Sequence, residues 1–94
     1  MNVPTTIDID AAVTLYYGQH EITTSDIQMI FGCGKTKANE LRKAARAEQD
    51  AAGVRSYNAS AVNVEKAYET WGLDIRRLER AQKHPKLRLG GVSG

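Results

Sequence analysis

The sequence predicts one mainly helical domain, with room for a small β wing and with further helices packed behind its N-terminal half. Three observations carry that prediction. Apolar residues recur at helical spacing in several separate segments. Ser, Thr or Asp residues open those segments and glycines close them. The stretches with strand-like composition are only three or four residues long. With 94 residues, 41% of them apolar and 26% charged, the chain has the length and composition of a single modest globular core. The domain is expected to span residues 1–89, followed by a disordered glycine-rich tail at 90–94.

The elements follow in order. Asp8 or Asp10 caps a short first helix running through about Tyr17 and stopped by Gly18. Glu21–Thr23 is a short extended piece. Thr23 or Ser25 opens a second helix, with Asp26 or Gln28 three residues on as a capping-box partner and Ile27, Ile30 and Phe31 as its apolar face. Gly32 breaks it. A longer helix runs from Lys35 to about Gln49, with Ala38, Leu41 and Ala45 inward. Val54–Tyr57 and Ala61–Val64 form either a small hairpin around Asn58–Ser60 or a loop. Val64, Ala67, Tyr68 and Trp71 mark another amphipathic helix closed by Gly72. Asp74 caps a last one, in which Leu73 and Leu78 have the spacing of a hydrophobic staple, and Pro85 ends it.

Charge is unevenly distributed. Residues 1–34 contain no Lys or Arg, only Asp8, Asp10, Glu21 and Asp26. Lys35, Lys37, Arg42, Lys43, Arg46 and Arg55 then stand against Glu40, Glu48 and Asp50. A second basic run, Arg76, Arg77, Arg80, Lys83, Lys86 and Arg88, contains one acid, Glu79. This asymmetry points to a polyanionic partner. For the second run two readings stay open: it holds the phosphates of a neighbouring turn, or it is the wet face of a packing helix.

The segment Thr24–Lys43, TSDIQMIFGCGKTKANELRK, resembles the helix-turn-helix family of DNA-binding domains over about 20 residues. The turn glycine is Gly32, flanked by Phe31 and Cys33, and Ile27, Ala38 and Leu41 occupy the family's other apolar or small positions. The pattern has a physical basis. Two helices crossing after a three- or four-residue turn need a residue tolerant of a left-handed backbone, a small residue where they approach and apolar side chains to seal the contact. One departure is Gly34, where the family has Ser or Thr as the cap of the second helix; glycine is an acceptable substitute.

The resemblance implies a helix-turn-helix three-helix core, with a winged variant allowed, that binds double-stranded DNA. If Ala38, Leu41 and Ala45 face inward, Thr36, Asn39, Glu40 and Lys43 lie on the opposite side and are the candidates for base contacts. Glu40 either accepts from a cytosine amine or neutralises Lys43 three residues on, the second being favoured. Gly34, Lys35, Lys37, Arg46 and, at the wing position, Arg55 are the candidates for phosphate contacts. Small stand-alone proteins of this type look like transcriptional regulators or excisionase-like factors of bacteria, prophages and mobile elements. The alternative is a protein–protein adaptor in a phage packaging or replication assembly. An exposed apolar patch on the third helix would favour that alternative.

Other classes find little support. GCGKT at residues 32–36 lacks the earlier glycine of a P-loop, because Met29 stands there. Cys33 has no orienting base in view and belongs in the turn's packing. His20 and His84 have no partner at zinc-ligand spacing. Asp8 and Asp10 are accounted for by capping. Tyr16, Tyr17, Tyr68 and Trp71 are spaced for a core rather than for a single-strand stacking platform. No enzymatic activity, cofactor, metal or small-molecule ligand is therefore expected. No apolar run approaches the roughly 20 residues of a membrane helix, no basic-then-apolar leader opens the chain, and a lone cysteine suits a reducing compartment. Cytoplasm is the expected location, with a homodimer through the Trp71–Leu78 region left open.

Overall fold

A computed structural model describes residues 3–56 and 58–83 of the chain. Their order is α1 (Ile9–Gly18), β1 (Glu21–Thr23), α2 (Thr24–Phe31), α3 (Lys35–Ala51), β2 (Ala61–Asn63), α4 (Val64–Trp71) and α5 (Ile75–Lys83). The expected stop at Pro85, the tail at 90–94, and Tyr57, His84, Lys86 and Arg88 lie outside the described residues.

Local chemistry sets the helix starts. Asp8 caps α1, its Oδ1 accepting from the Ala11 amide at 2.9 Å. Thr23, rather than Ser25, caps α2 through a full capping box. The Asp26 amide donates to the Thr23 hydroxyl, and the Thr23 amide donates to the Asp26 carboxylate at 2.9 Å. Asn63 caps α4 by accepting from the Lys66 amide at 2.9 Å. Asp74 accepts from the Arg76 amide at 2.9 Å at the start of α5, and Leu73 and Leu78 both pack against the core as the staple spacing predicts.

The interior is one continuous cluster that includes Ala12, Ile22, Ile27, Ile30, Phe31, Ala38, Leu41, Ala45, Val62, Ala67, Tyr68 and Trp71. Aromatic rings tie its layers together. Phe31 of α2 meets Trp71 of α4 edge-on at 5.5 Å, and Tyr16 of α1 meets Tyr68 of α4 at 5.1 Å. Each buried polar tip has a carbonyl to bond. The Trp71 Nε1–H donates to the Leu41 carbonyl at 3.0 Å, and the Tyr68 hydroxyl donates to the Ala12 carbonyl at 2.5 Å. Tyr16, Tyr68 and Trp71 pack in or against the core, as their spacing indicates; Tyr17, expected there as well, is instead 65% exposed, its hydroxyl reaching Glu79 on α5.

The sheet differs from the hairpin reading. β2 pairs antiparallel with β1, Glu21 opposite Asn63, Ile22 opposite Val62 and Thr23 opposite Ala61; Val54–Ser56 is not a strand. The far edge of β2 is taken by α3. Arg46 Nη1 donates to the Ala61 carbonyl at 3.1 Å, and the Asn63 amide donates to Gln49 Oε1 at 2.7 Å. With those groups satisfied by helix side chains, a third strand has nothing to pair with on that edge. Residues 54–56 and 58–60 instead lie in a loop held at its base by Ser56. The Ser56 hydroxyl sits against the Glu21 carboxylate and lies 2.8 and 3.2 Å from the Asn58 and Ala61 carbonyls.

Candidate nucleic-acid interface

The candidate site is the outer face of α3 and the turn that aims it. Helix α2 ends at Phe31, and Gly32, Cys33 and Gly34 make a three-residue turn into α3. Gly32 adopts φ +62°, the left-handed conformation that a side chain disfavours. Above it runs the segment preceding α1. The Ile7 and Asp8 amides both donate to the Ile30 carbonyl, at 2.9 and 3.2 Å, and Ile7 Cδ1 would lie 2.2 Å from a Cβ at position 32. The elbow is thus fixed by backbone conformation and by a strap across the end of α2. Cys33 is half-buried against the core, a packing role. Gly34 is the N-cap of α3 with no side-chain bond, in an ordinary extended conformation with open space around it.

Along α3, Ala38, Leu41, Ala45 and Gln49 are buried. Gln49 extends the inward stripe that the spacing of the first three predicts. The opposite side carries Thr36, Glu40 and Lys43, all exposed, with Lys35 exposed at the helix start. Asn39 lies at the margin. It is half-buried, and its Oδ1 accepts from the Thr24 hydroxyl at 3.0 Å. That bond uses one lone pair and leaves the amide N–H donors and the second lone pair, the set a bidentate contact to adenine requires. Thr24 thus holds Asn39 in place, a contact that sequence reasoning missed; it sits 15 positions away, and only the folded elbow brings the two together.

Two expectations change in detail. Glu40 pairs with Lys37 at 3.7 Å rather than with Lys43. Both lysines stand three residues from Glu40; Lys37 is the partly buried one and keeps its ammonium near the helix surface, whereas Lys43 is exposed. Lys43 has no ion pair among the described residues. Arg46 is engaged inside the protein, between the Ala61 carbonyl and Asp50 Oδ1 at 3.3 Å, and anchors β2 instead of standing free on the flank. Lys37 is half-buried by comparison with Lys35, and Arg55 is exposed in the loop after α3, next to the Ser56 clamp. The structure therefore brings Thr36, Asn39, Glu40 and Lys43 onto one surface with Gly34, Lys35 and Lys37, and sets Arg46 apart from it.

Among the described residues the large apolar side chains most open to solvent, Ile7, Tyr17 and Met29, all lie off α3. Among the described residues no group of three His, Cys, Asp or Glu side chains is placed to hold a metal ion. No described helix is long and apolar enough to cross a membrane. The chain matches no protein-family model, no curated protein and no solved structure.

Proposed function

We propose that this protein binds double-stranded DNA in a sequence-specific manner by laying the N-terminal half of α3 in the major groove. The observation that carries the reading is the surface of α3. A short glycine elbow presents Thr36, Glu40 and Lys43 outward with Asn39 at their margin, Lys43 has no ion pair among the described residues, and no large apolar residue interrupts the stripe. Lys43 donates to guanine, Asn39 pairs with adenine under the hold of Thr24, and Thr36 meets a thymine methyl or a phosphate. Lys35, the Gly34 turn and Arg55 meet the backbone. A domain of this kind serves as a regulator of transcription or as an excisionase-like architectural factor, and works where its DNA is, in the cytoplasm.

The adaptor reading needs an apolar patch on α3 and finds none there. The test is a titration onto duplexes of random and selected sequence at two salt concentrations. With about four phosphates neutralised, a fourfold rise in salt weakens binding by roughly two orders of magnitude. Lys43→Ala or Asn39→Ala relaxes base discrimination by about 1–3 kcal/mol at individual positions. Binding indifferent to salt, or base preferences untouched by both substitutions, refutes the groove assignment.

A further inference from the structure

The charges of α5 are arranged differently from those of any other element. Arg76, Arg77, Arg80 and Lys83 are all exposed. At 100° per residue they fall on one side of the helix, opposite Ile75 and Leu78, which pack against the core. None of the four takes part in the ion pairs seen among the described residues, which are Lys37–Glu40, Arg46–Asp50 and Lys66–Glu69.

The neighbouring carboxylates are occupied by neutral donors. Glu79 accepts from the Tyr17 hydroxyl, Asp10 accepts from Gln82 Nε2 at 3.0 Å, and Asp74 accepts from the Arg76 amide. The acids thereby fasten α5 to α1 and cap its first turn, and none of them closes an ion pair with the four cations among the described residues. Helix stability does not account for this arrangement. Arg80 and Lys83 suit the negative end of the helix dipole in the last turn, but Arg76 and Arg77 oppose its positive end in the first, and that turn has no acid. Like charges three and four residues apart add repulsion.

We infer that the outer face of α5 is a second contact for the phosphate backbone of duplex DNA, indifferent to sequence and separate from α3. From Arg76 to Lys83 the face rises about 10 Å, the axial reach of about three phosphates of one strand. A polyanion of that spacing relieves the repulsion among the four like charges. The inference rests on α5's own charges and does not require that α3 reads bases.

The test uses the full chain carrying Arg76→Gln, Arg77→Gln, Arg80→Gln and Lys83→Gln together, and a second chain with Lys at all four positions. Both are titrated by fluorescence anisotropy onto a random 20-base-pair duplex across a salt series, with circular dichroism reporting the fold. The Gln variant is expected to lose about 2–4 from the log–log salt slope, to bind at least tenfold more weakly, and to keep the wild-type ratio between preferred and random duplex. The Lys variant restores the slope. If the quadruple change unfolds α5, the pairs at 76/77 and 80/83 are tested separately, each expected to remove part of the slope.

An unchanged slope overturns the inference and leaves the α3 reading standing. A lost slope alongside base preferences that ignore Lys43→Ala and Asn39→Ala upholds α5 and refutes α3. A wild-type chain that binds no duplex refutes both. Binding to phosphatidylserine vesicles that the Gln variant loses, with duplex affinity intact, assigns the face to lipid and overturns the DNA assignment.

Discussion

Replacing Gly32 by Ala tests whether the elbow is fixed as described. The left-handed conformation at φ +62° costs a residue with a Cβ about 1–2 kcal/mol. The new methyl would also stand 2.2 Å from Ile7 Cδ1. Ile7 is 68% exposed, so its tip can turn aside at about 0.5–1.5 kcal/mol for a side chain pushed off its preferred rotamer. Against these, Ala restricts the unfolded chain and recovers about 0.4–1 kcal/mol.

The net expectation is a loss of roughly 1–2 kcal/mol, read as a lower urea midpoint with an unchanged slope. Trp71, the only tryptophan, is buried beside Phe31 and provides the fluorescence signal. Two controls separate the causes. Gly53→Ala has a similar φ of +75° and open space, so it should show the conformational cost without Ile7. Gly34→Ser, at φ −74° with nothing nearby, should raise stability by a few tenths of a kcal/mol through a new cap. If Gly32→Ala proves harmless, or Gly34→Ser proves the more damaging, the account of the turn is wrong.

Further expectations concern the interior and the approach to the site. Burial, with lesser contributions from Asp26 and Tyr16, pushes the Tyr68 phenol far above its ordinary pKa of 10.0. Above about pH 10 the unfolded chain releases a proton that the folded chain retains. Stability is therefore full below that pH and falls above it by about 1.4 kcal/mol per unit. Alkaline denaturation of Tyr68→Phe should show a shallower slope, with a residue from Tyr17, which the Glu79 hydrogen bond also raises. Gln49 bonds the Asn63 amide through Oε1, while its buried Nε2 has no partner among the described residues. Gln49→Met strands the Asn63 donor but removes the orphaned one, each worth about 1–3 kcal/mol, and should be near neutral. Gln49→Ala adds a cavity and should cost about 2–4 kcal/mol more. A urea titration in which Met is as damaging as Ala contradicts this balance. Thr24→Val should leave the melting temperature within a few degrees of wild type and reduce discrimination at the base read by Asn39. Equal losses on every duplex would show that Thr24 serves the fold alone.

What the sequence discloses here is what local physics determines. The Thr23–Asp26 capping box, the Gly32 elbow and the inward run of Ala38, Leu41 and Ala45 are all written within a few residues of where they act. The same holds for the Asp74 cap and its Leu73–Leu78 staple. The sheet was not legible, because Glu21–Thr23 finds its partner 40 residues away and the composition of Val54–Tyr57 suits a strand equally well. The decision is made by Arg46 and Gln49 reaching across from α3, a tertiary event without a local signature. The site shows the same division. Helical periodicity brings Thr36, Glu40 and Lys43 to one face, but the choice of Lys37 as the partner of Glu40 goes with the partial burial of Lys37, which the spacing alone does not reveal. The hold of Thr24 on Asn39 depends on how the elbow closes.

The capped far edge of β2 has a consequence for how this domain tolerates change. Arg46 and Gln49 fasten the strand directly to the helix that leads to it, so the hold of β2 on α3 does not pass through the exposed Asn58–Ser60 tip. Extra residues spliced in at that tip would lengthen the detour without turning the outer face of α3. The molecule thus carries a natural graft point close to Arg55, where an inserted peptide would leave the aim of α3 fixed.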